Sequence, residues 1–267
     1  MNGKAESSDL LRLLHRETLN QVSVLQSLVQ GDFLGSVTVA ELKRLGDVGI
    51  GTFHALDGEL IMLDGVVYQA RGDGRVVIAP DDATVPFADV TFIDDEIPFA
   101  PVCPCDLEGL RSQLDAVVAR ENPNLFYMAV LSCRLDELTV RSARPQPQNQ
   151  SPLAEVMKTA QVAFTYAPIA GTLVALYCPQ FMSSLNMPGW HFHFVSDDGT
   201  RGGHVLRLRL REGRGNLDQT RSFNMILPDA DTAFARQDLT RDQSRAIAAV
   251  EGGTPGRAKA RRAPKST

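Results

Sequence analysis

The sequence predicts an α+β fold in which antiparallel or mixed sheets carry most of the core. Short apolar or alternating runs, typical of strands, recur along the chain and are separated by Asp-Gly pairs that favour tight turns. Helical patterns occur between these runs, but they do not alternate regularly with single strands as in a parallel βαβ fold. The 267 residues are 43% hydrophobic, which is enough for one large domain or two smaller ones.

The N-terminal part begins with two helical patterns and continues into a β-meander. Apolar residues recur at helical spacing over 9–30, and a shorter helix is predicted at 38–46, where a glycine ends the pattern. Asp-Gly is a strong signal for a hairpin turn, and the following stretch contains three such pairs between apolar runs. They lie at 57–58, 64–65 and 73–74.

From residue 106 onward, helical and strand patterns follow one another without a repeat. They predict a helix at 106–121, two strands within 125–143, a helix at 153–164, strands at 171–178 and 222–228, and a helix at 240–251. The last segment, 254–267, has no acidic residue and no apolar periodicity, and it is predicted to be a disordered basic tail.

Three of the chain's five histidines lie in one short stretch, HFHFVSDDGTRGGH. The alternation of the first residues places His191 and His193 on one face of a strand, and Asp198-Gly199 predicts a turn. Residues pair symmetrically about that turn, which places His204 opposite His193 on the same face. Converging imidazoles on an apolar face predict a divalent metal, because protonating them would bury repelling charges. Three neutral ligands leave an open position, as in catalytic zinc sites.

Three further residues are candidates for chemistry, but their patterns alone leave other interpretations open. Glu59 opens a strand and shares a face with apolar residues, which suits a proton donor, although it could equally lie in water at the turn. Arg141, in LTVRSA, could hold a substrate carboxylate through two hydrogen bonds or be an ordinary solvated arginine. Glu251 ends a predicted helix and has no distinguishing pattern.

Composition excludes several classes of partner. The formal net charge of −5 and the pI near 5.6 give no general attraction to nucleic acid or to a membrane surface. The N-terminus lacks the apolar run of a signal peptide, and no stretch is long enough to span a bilayer. The four cysteines include one Cys-x-Cys pair without a second pair at zinc-finger spacing, so we expect reduced thiols in a cytoplasmic protein.

From about residue 21 to residue 251 the chain resembles the acetolactate decarboxylase family. The resemblance rests on several blocks, of which the last is long and specific: GTFHALDGEL (51–60), VPFADVTF (85–92), VRS (140–142), and GTLVALYCPQF running into MPGWHFHFVSDDGTRGGHVL (171–206).

The resemblance implies a function and a site. Members of the family decarboxylate (S)-2-acetolactate to (R)-acetoin, and histidines spaced like His191, His193 and His204 hold zinc. A glutamate at the position of Glu59 and an arginine at that of Arg141 complete the site. A glutamate from the C-terminal segment also reaches it, which makes Glu251 the match.

The resemblance also implies two lobes built on sheets, and a homodimer. The expected divisions are an N-terminal extension at 1–20, an N-terminal lobe at 21–165, a C-terminal lobe with the zinc ligands at 166–253, and the tail at 254–267.

Two other functions stay open. A cupin-type metal enzyme is one, because PGWHFHFVSDD resembles the cupin pattern with Asp197 as its acid. That family needs another histidine on a later strand, and none follows His204. A non-catalytic module that binds a metal or a small molecule is the other. Glu59 and Arg141 beside a metal site argue against it, and a turnover assay separates the two.

Overall fold

The computed structural model describes residues 16–94, 96–146, 151–229, 232–240 and 261–262. Two large sheets, one of seven strands and one of eight, carry most of the fold. Most pairings are antiparallel, and each sheet contains one parallel pair. The predicted α+β class with mixed or antiparallel sheets is confirmed.

The strands, in chain order, share short lengths except for two long members in the second sheet. They are β1 (Thr18–Val22), β2 (Val37–Thr38), β3 (Val48–Thr52), β4 (Glu59–Leu63), β5 (Val66–Ala70), β6 (Val76–Ile78), β7 (Thr84–Val85), β8 (Phe87–Thr91), β9 (Ile97–Phe99), β10 (Cys105–Asp106), β11 (Phe126–Ala143), β12 (Gln161–Tyr166), β13 (Ile169–Cys178), β14 (Gly189–Ser196), β15 (Gly202–Thr220), β16 (Ser222–Ile226) and β17 (Arg261–Arg262).

The α-helices are few and mostly short. They are α1 (Leu25–Val29), α2 (Val39–Leu42), α3 (Leu107–Glu121) and α4 (Leu153–Ala160). Single 3-10 turns lie at His54–Leu56, Gln180–Met182 and Ala233–Arg236.

The first sheet has the strand order β16-β1-β8-β3-β4-β5-β6. Its β3 to β6 segment is the predicted meander, with every neighbouring pair antiparallel. The glycines of the three Asp-Gly turns all have positive φ, between 72° and 95°, which is the backbone conformation that these turns require. The edge strand β16 pairs in parallel with β1.

The second sheet closes on itself. Its order runs β10-β15-β14-β13-β11-β12-β17, and an additional pairing joins β15 to β11. Strands β11, β13, β14 and β15 therefore form a ring in which each pairs with two others. The ring leaves no open edge at the histidine hairpin, so the hairpin is held from both sides.

Three predicted elements differ from the structure. The single helix predicted over 9–30 is wrong in its described part, where β1 is followed by the short helix α1. Strand β1 lies between β16 and β8 and buries residues on both faces, so its apolar spacing imitates a helix. The two strands predicted over 125–143 form one strand, β11, with register shifts where the acidic residues suggested a turn. The helix predicted over 153–164 ends at Ala160, and β12 follows directly.

Each sheet takes strands from both sides of residue 165, because β11 and β12 belong to the second sheet and β16 returns to the first. The division into lobes at 165/166 stays a prediction. The predicted helix at 240–251 lies outside the described residues apart from its first residue. Of the predicted tail, the structure describes Arg261–Arg262, which pair with Phe164 and Thr165 of β12.

The two sheets face each other across an apolar layer that determines where the histidines lie. Ile50 and Ile61 of the first sheet pack in one buried cluster with Val174, Leu176 and Val195 of the second. His191 and His193 alternate with outward residues and point to the same side as Val195. The histidines therefore project into the layer between the sheets.

No helix in the described part of the chain is long and apolar enough to cross a membrane. All four cysteines carry free thiols.

Candidate metal centre

The histidine hairpin has the predicted register. His193 is the direct cross-strand partner of His204, and Phe194 pairs with Gly203. The turn is longer than predicted, because Ser196 N–H donates to the Arg201 carbonyl and leaves a four-residue loop at 197–200. The loop is centred on the same Asp-Gly pair as the predicted two-residue turn, so the register is unchanged.

The three imidazoles converge on one point. One potential ligand nitrogen from each of His191, His193 and His204 lies within 4.8 Å of the others. His193 and His204 are buried, at 1% and 3% exposure, whereas His191 is partly exposed. The Nε2 of His191 and the Nδ1 of His204 are only 2.8 Å apart. The cluster has the spacing and the access that one metal ion with an open position requires.

A main-chain contact fixes the tautomer of His193. Its Nδ1 lies 2.8 Å from the Leu60 carbonyl oxygen, which can only accept, so Nδ1 carries the proton. The lone pair is then on Nε2, which lies 3.7 Å from Oε2 of Glu59. A lone pair facing a carboxylate oxygen at this distance is favourable only with a proton or a cation between them. A carbonyl that orients a histidine in this way is typical of metal sites.

The environment keeps the cluster neutral. Burial lowers the pKa of His191 to about 3, and the positive charges of Arg141 and Arg111 lower it further. Burial, Arg141 and the neighbouring histidines hold the pKa of His204 well below its ordinary value. Neutral imidazole is the form that binds metal, so both histidines are ready to ligate at neutral pH.

Glu59 lies at the first position of β4, opposite Thr52 and beside Ala70. Its side chain is 13% exposed. Ser142 Oγ donates to the Ala70 carbonyl at 2.6 Å, which ties β11 of the second sheet to the strand next to Glu59. Together with the contact from His193 to Leu60, this bond holds the carboxylate against the histidines.

Arg141 is the cross-strand partner of His204 on β11 and is 5% exposed. The close approach of the two strands depends on Gly203, which has a φ of 142° and where a Cβ would lie 2.5 Å from the Arg141 carbonyl oxygen. Directly paired residues share a face of the sheet, so Arg141, His204 and His193 form a row across three strands.

The structure thus brings together five of the six predicted site residues, namely His191, His193, His204, Glu59 and Arg141. Glu251 lies outside the described residues. Sequence reasoning missed the Leu60 carbonyl, Ser142 and Thr52. A main-chain carbonyl carries no residue-type signal, and serine and threonine are too common for either to be recognised from one sequence.

The donor set fits a divalent metal ion. Three neutral imidazole nitrogens suit zinc and several other first-row metals, and the adjacent carboxylate offsets part of the ion's charge. His191, His193 and His204 could therefore hold a metal ion, while the donors alone do not select one element.

Comparisons with known proteins agree with this geometry. The family model for alpha-acetolactate decarboxylase matches residues 19–241. The alpha-acetolactate decarboxylase of Methylococcus capsulatus is 36% identical over 231 residues, which cover 86% of this chain and 87% of that protein. The enzyme of the same name from Brevibacillus brevis is 33% identical over 225 residues, covering 84% and 78%.

A solved structure shows the same fold. The crystal structure of alpha-acetolactate decarboxylase from Bacillus subtilis strain 168 is 28% identical to this chain, with a TM-score of 0.83 over 88% of this chain and 99% of that one. Since the family model and these relatives match over most of their length, the chain belongs to the alpha-acetolactate decarboxylase family and is a decarboxylase, an enzyme of the lyase class.

Proposed function

We propose that the chain converts (S)-2-acetolactate to (R)-acetoin and carbon dioxide, with zinc held by His191, His193 and His204. The observation that supports this most directly is the position of His193, whose Nδ1 donates to Leu60 while its Nε2 faces Glu59. That arrangement places a metal-binding nitrogen and a carboxylate at one point. We propose further that the enzyme acts as a homodimer in the cytoplasm, as members of the family do.

The substrate explains why such a site is needed. In 2-acetolactate the carboxylate is attached to a carbon that also bears a hydroxyl, next to a ketone. When the bond to the carboxylate breaks, its electron pair moves toward the ketone oxygen and leaves an enediolate. Zinc bound at the three histidines would supply a Lewis acid that polarises the ketone and stabilises this negative charge.

Arg141 is proposed to orient the substrate. Its guanidinium is always charged and can form two parallel hydrogen bonds to a carboxylate or to neighbouring oxygens. It sits in the same row as His204 and His193, so a substrate held by Arg141 would have its ketone directed toward the histidines. Burial of the arginine excludes water that would compete for those hydrogen bonds.

Glu59 is proposed to deliver the proton that completes the reaction. After carbon dioxide leaves, the carbon that carried it needs one proton to give acetoin. A carboxyl held on one side of the substrate would protonate only one face and give a single enantiomer. The bonds that Ser142 and His193 make to the strands beside Glu59 provide the necessary rigidity. We propose Glu251 as a second acid that assists.

The test is to measure release of carbon dioxide and acetoin from 2-acetolactate before and after treatment with a chelator. We expect turnover by the metal-loaded protein, loss on chelation, and recovery when Zn²⁺ is returned. Absence of turnover in protein that holds one metal per chain would favour the non-catalytic module. Full turnover after complete metal removal would exclude the metal from the reaction.

Removing the metal is expected to lower the melting temperature without unfolding the protein. The apolar layer between the sheets is formed by side chains that do not depend on an ion. A metal present at about a thousand times its dissociation constant stabilises a folded protein by about 4 kcal/mol, which corresponds to a shift of roughly 10 °C for a chain of this size. Far-ultraviolet circular dichroism of the metal-free protein should be unchanged, and melting should stay cooperative. An unfolded chain after chelation would show that the ion is structural.

A further inference from the structure

Three buried polar side chains connect the first sheet to the segment that leads into the histidine strand. Asn186 Nδ2 donates to Gln21 Oε1 at 2.9 Å and lies 3.1 and 3.0 Å from the two carboxyl oxygens of Asp89. All three residues are at most 1% exposed. We call Gln21, Asp89 and Asn186 the buried junction.

The residues on either side of Asn186 are fixed by the same contacts. The Leu185 carbonyl accepts hydrogen bonds from Leu25 N–H at 2.9 Å and from Gln21 Nε2 at 3.1 Å. Met187 N–H donates to Asn186 Oδ1 at 2.7 Å. Strand β14 begins at Gly189, and His191 is its third residue. The buried junction therefore fixes the point from which the histidine strand starts.

The buried junction also lies on the face of the first sheet that presents Glu59. Gln21 and Asp89 are cross-strand partners, and Asp89 pairs with Ile50 on its other side. Residues two apart along a strand share a face, so Ile50 shares its face with Thr52, which is the partner of Glu59. One surface of the first sheet therefore holds both the start of the histidine strand and the carboxylate that faces it.

The carboxyl group of Asp89 is costly where it lies. Burial raises its pKa to about 7, even though the hydrogen bond from Asn186 acts in the opposite direction. Its surroundings are Gln21, Asn186, Ile50 and the buried thiol of Cys178, whose own pKa is raised by burial and by Asp89. An apolar contact would be more stable at this place, and a locally unfavourable group is typical of a functional position.

We propose that Gln21, Asp89 and Asn186 are positioning residues for the metal centre, which hold the start of β14 against the first sheet and so set His191 and His193 relative to Glu59. The role in turnover rests on the proposed function, whereas the role in metal binding does not. Partners that orient metal ligands indirectly typically contribute a factor of about 10 to 100 in metal affinity.

The first test titrates the metal-free protein with Co²⁺ and records its visible spectrum, which reports ligand geometry. Asn186→Ala is expected to weaken Co²⁺ binding by about tenfold or more and to alter the spectrum. The matched control is Asn20→Ala. Asn20 is equally buried and bonds to the Leu45 carbonyl and to Asn224, but it lies on the opposite face of β1. It should lower the melting temperature and leave the Co²⁺ titration unchanged.

An exchange of the two groups provides a rescue. Asn186→Asp alone places two carboxyl groups together and should weaken Co²⁺ binding. Combining it with Asp89→Asn restores one carboxyl and one amide in the same contact, and binding should recover to within a few-fold of the wild-type value. The single variant Asp89→Asn keeps the shape of the contact, so it tests the junction even where Asn186→Ala fails to fold.

The pH dependence of stability reads Asp89 separately. Its pKa is about 7 in the folded protein and near the ordinary value of 3.8 in the unfolded chain. The folded state therefore holds the proton more tightly, and this group makes the protein less stable as pH rises from about 4 to about 7. Asp89→Asn removes that loss, so the melting temperature of the variant relative to wild type should increase between pH 5 and pH 8. A constant difference across that range would overturn the assignment of a buried, titrating Asp89.

The outcomes separate the two proposals. Wild-type protein that binds Co²⁺ but releases no acetoin would overturn the proposed function, and the comparison of Asn186→Ala with Asn20→Ala would still test positioning. Identical Co²⁺ titrations for wild type, Asn186→Ala and Asn20→Ala would overturn the positioning role, whatever the turnover. Recovery in the exchanged double variant supports it.

Discussion

Replacing His193 with alanine should remove the bound metal and abolish turnover. The residue supplies one of three ligands, and its contact with the Leu60 carbonyl is also a link between the two sheets. Loss of one ligand leaves two imidazoles, which hold a divalent ion far more weakly. Elemental analysis and acetoin release would check both effects. His191→Ala and His204→Ala should behave in the same way.

A matched control is available in the same chain. His54 is exposed, and its Nδ1 accepts a hydrogen bond from Gly35 N–H, away from the cluster. His54→Ala should keep one metal per chain and normal turnover. One full metal in each of the three cluster variants would show that the ion lies elsewhere.

Replacing Glu59 with glutamine should lower turnover by about two orders of magnitude or more, the usual scale for loss of a general acid. Glutamine keeps the size of the side chain but has no transferable proton. Decarboxylation and reprotonation are separate steps, so the residual acetoin should also lose enantiomeric purity, because solvent can then protonate either face. Steady-state kinetics and chiral chromatography of the product measure the two effects.

Metal content distinguishes the proton donor from a fourth ligand. Glu59 Oε2 lies 3.7 Å from His193 Nε2, so a direct role in holding the ion is a specific alternative. Retained metal with lost turnover supports the proton donor, whereas loss of metal in Glu59→Gln would make Glu59 a ligand. Glu41→Gln is the control, since Glu41 caps α2 through Thr38 and should affect neither quantity.

The sequence predicted the histidine cluster well because a hairpin is local. Alternation and one Asp-Gly pair determine which side chains face each other, and the longer loop preserved that register. Glu59 and Arg141 come from other strands, and only the family resemblance connected them to the histidines. The contact with the Leu60 carbonyl was out of reach, because any residue type offers the same group.

The misassigned N-terminal helix has a different cause. Strand β1 is a strand because β16 and β8 pair with it, and β16 comes from the far end of the described chain. A pattern read within a short window contains no information about such a partner.

The parallel pairing of β1 with β16 has a consequence for synthesis and folding. The first segment of the first sheet is made early, but its outer hydrogen-bonding groups have no β16 to pair with until residue 226 has left the ribosome. Closing so large a loop slows folding, because its entropy is lost before the pairing contributes. Until then β1 is an open sheet edge that can pair with another nascent chain. The yield of folded protein is therefore expected to depend on crowding and on the rate of translation, while the histidine hairpin forms from residues made within moments of one another.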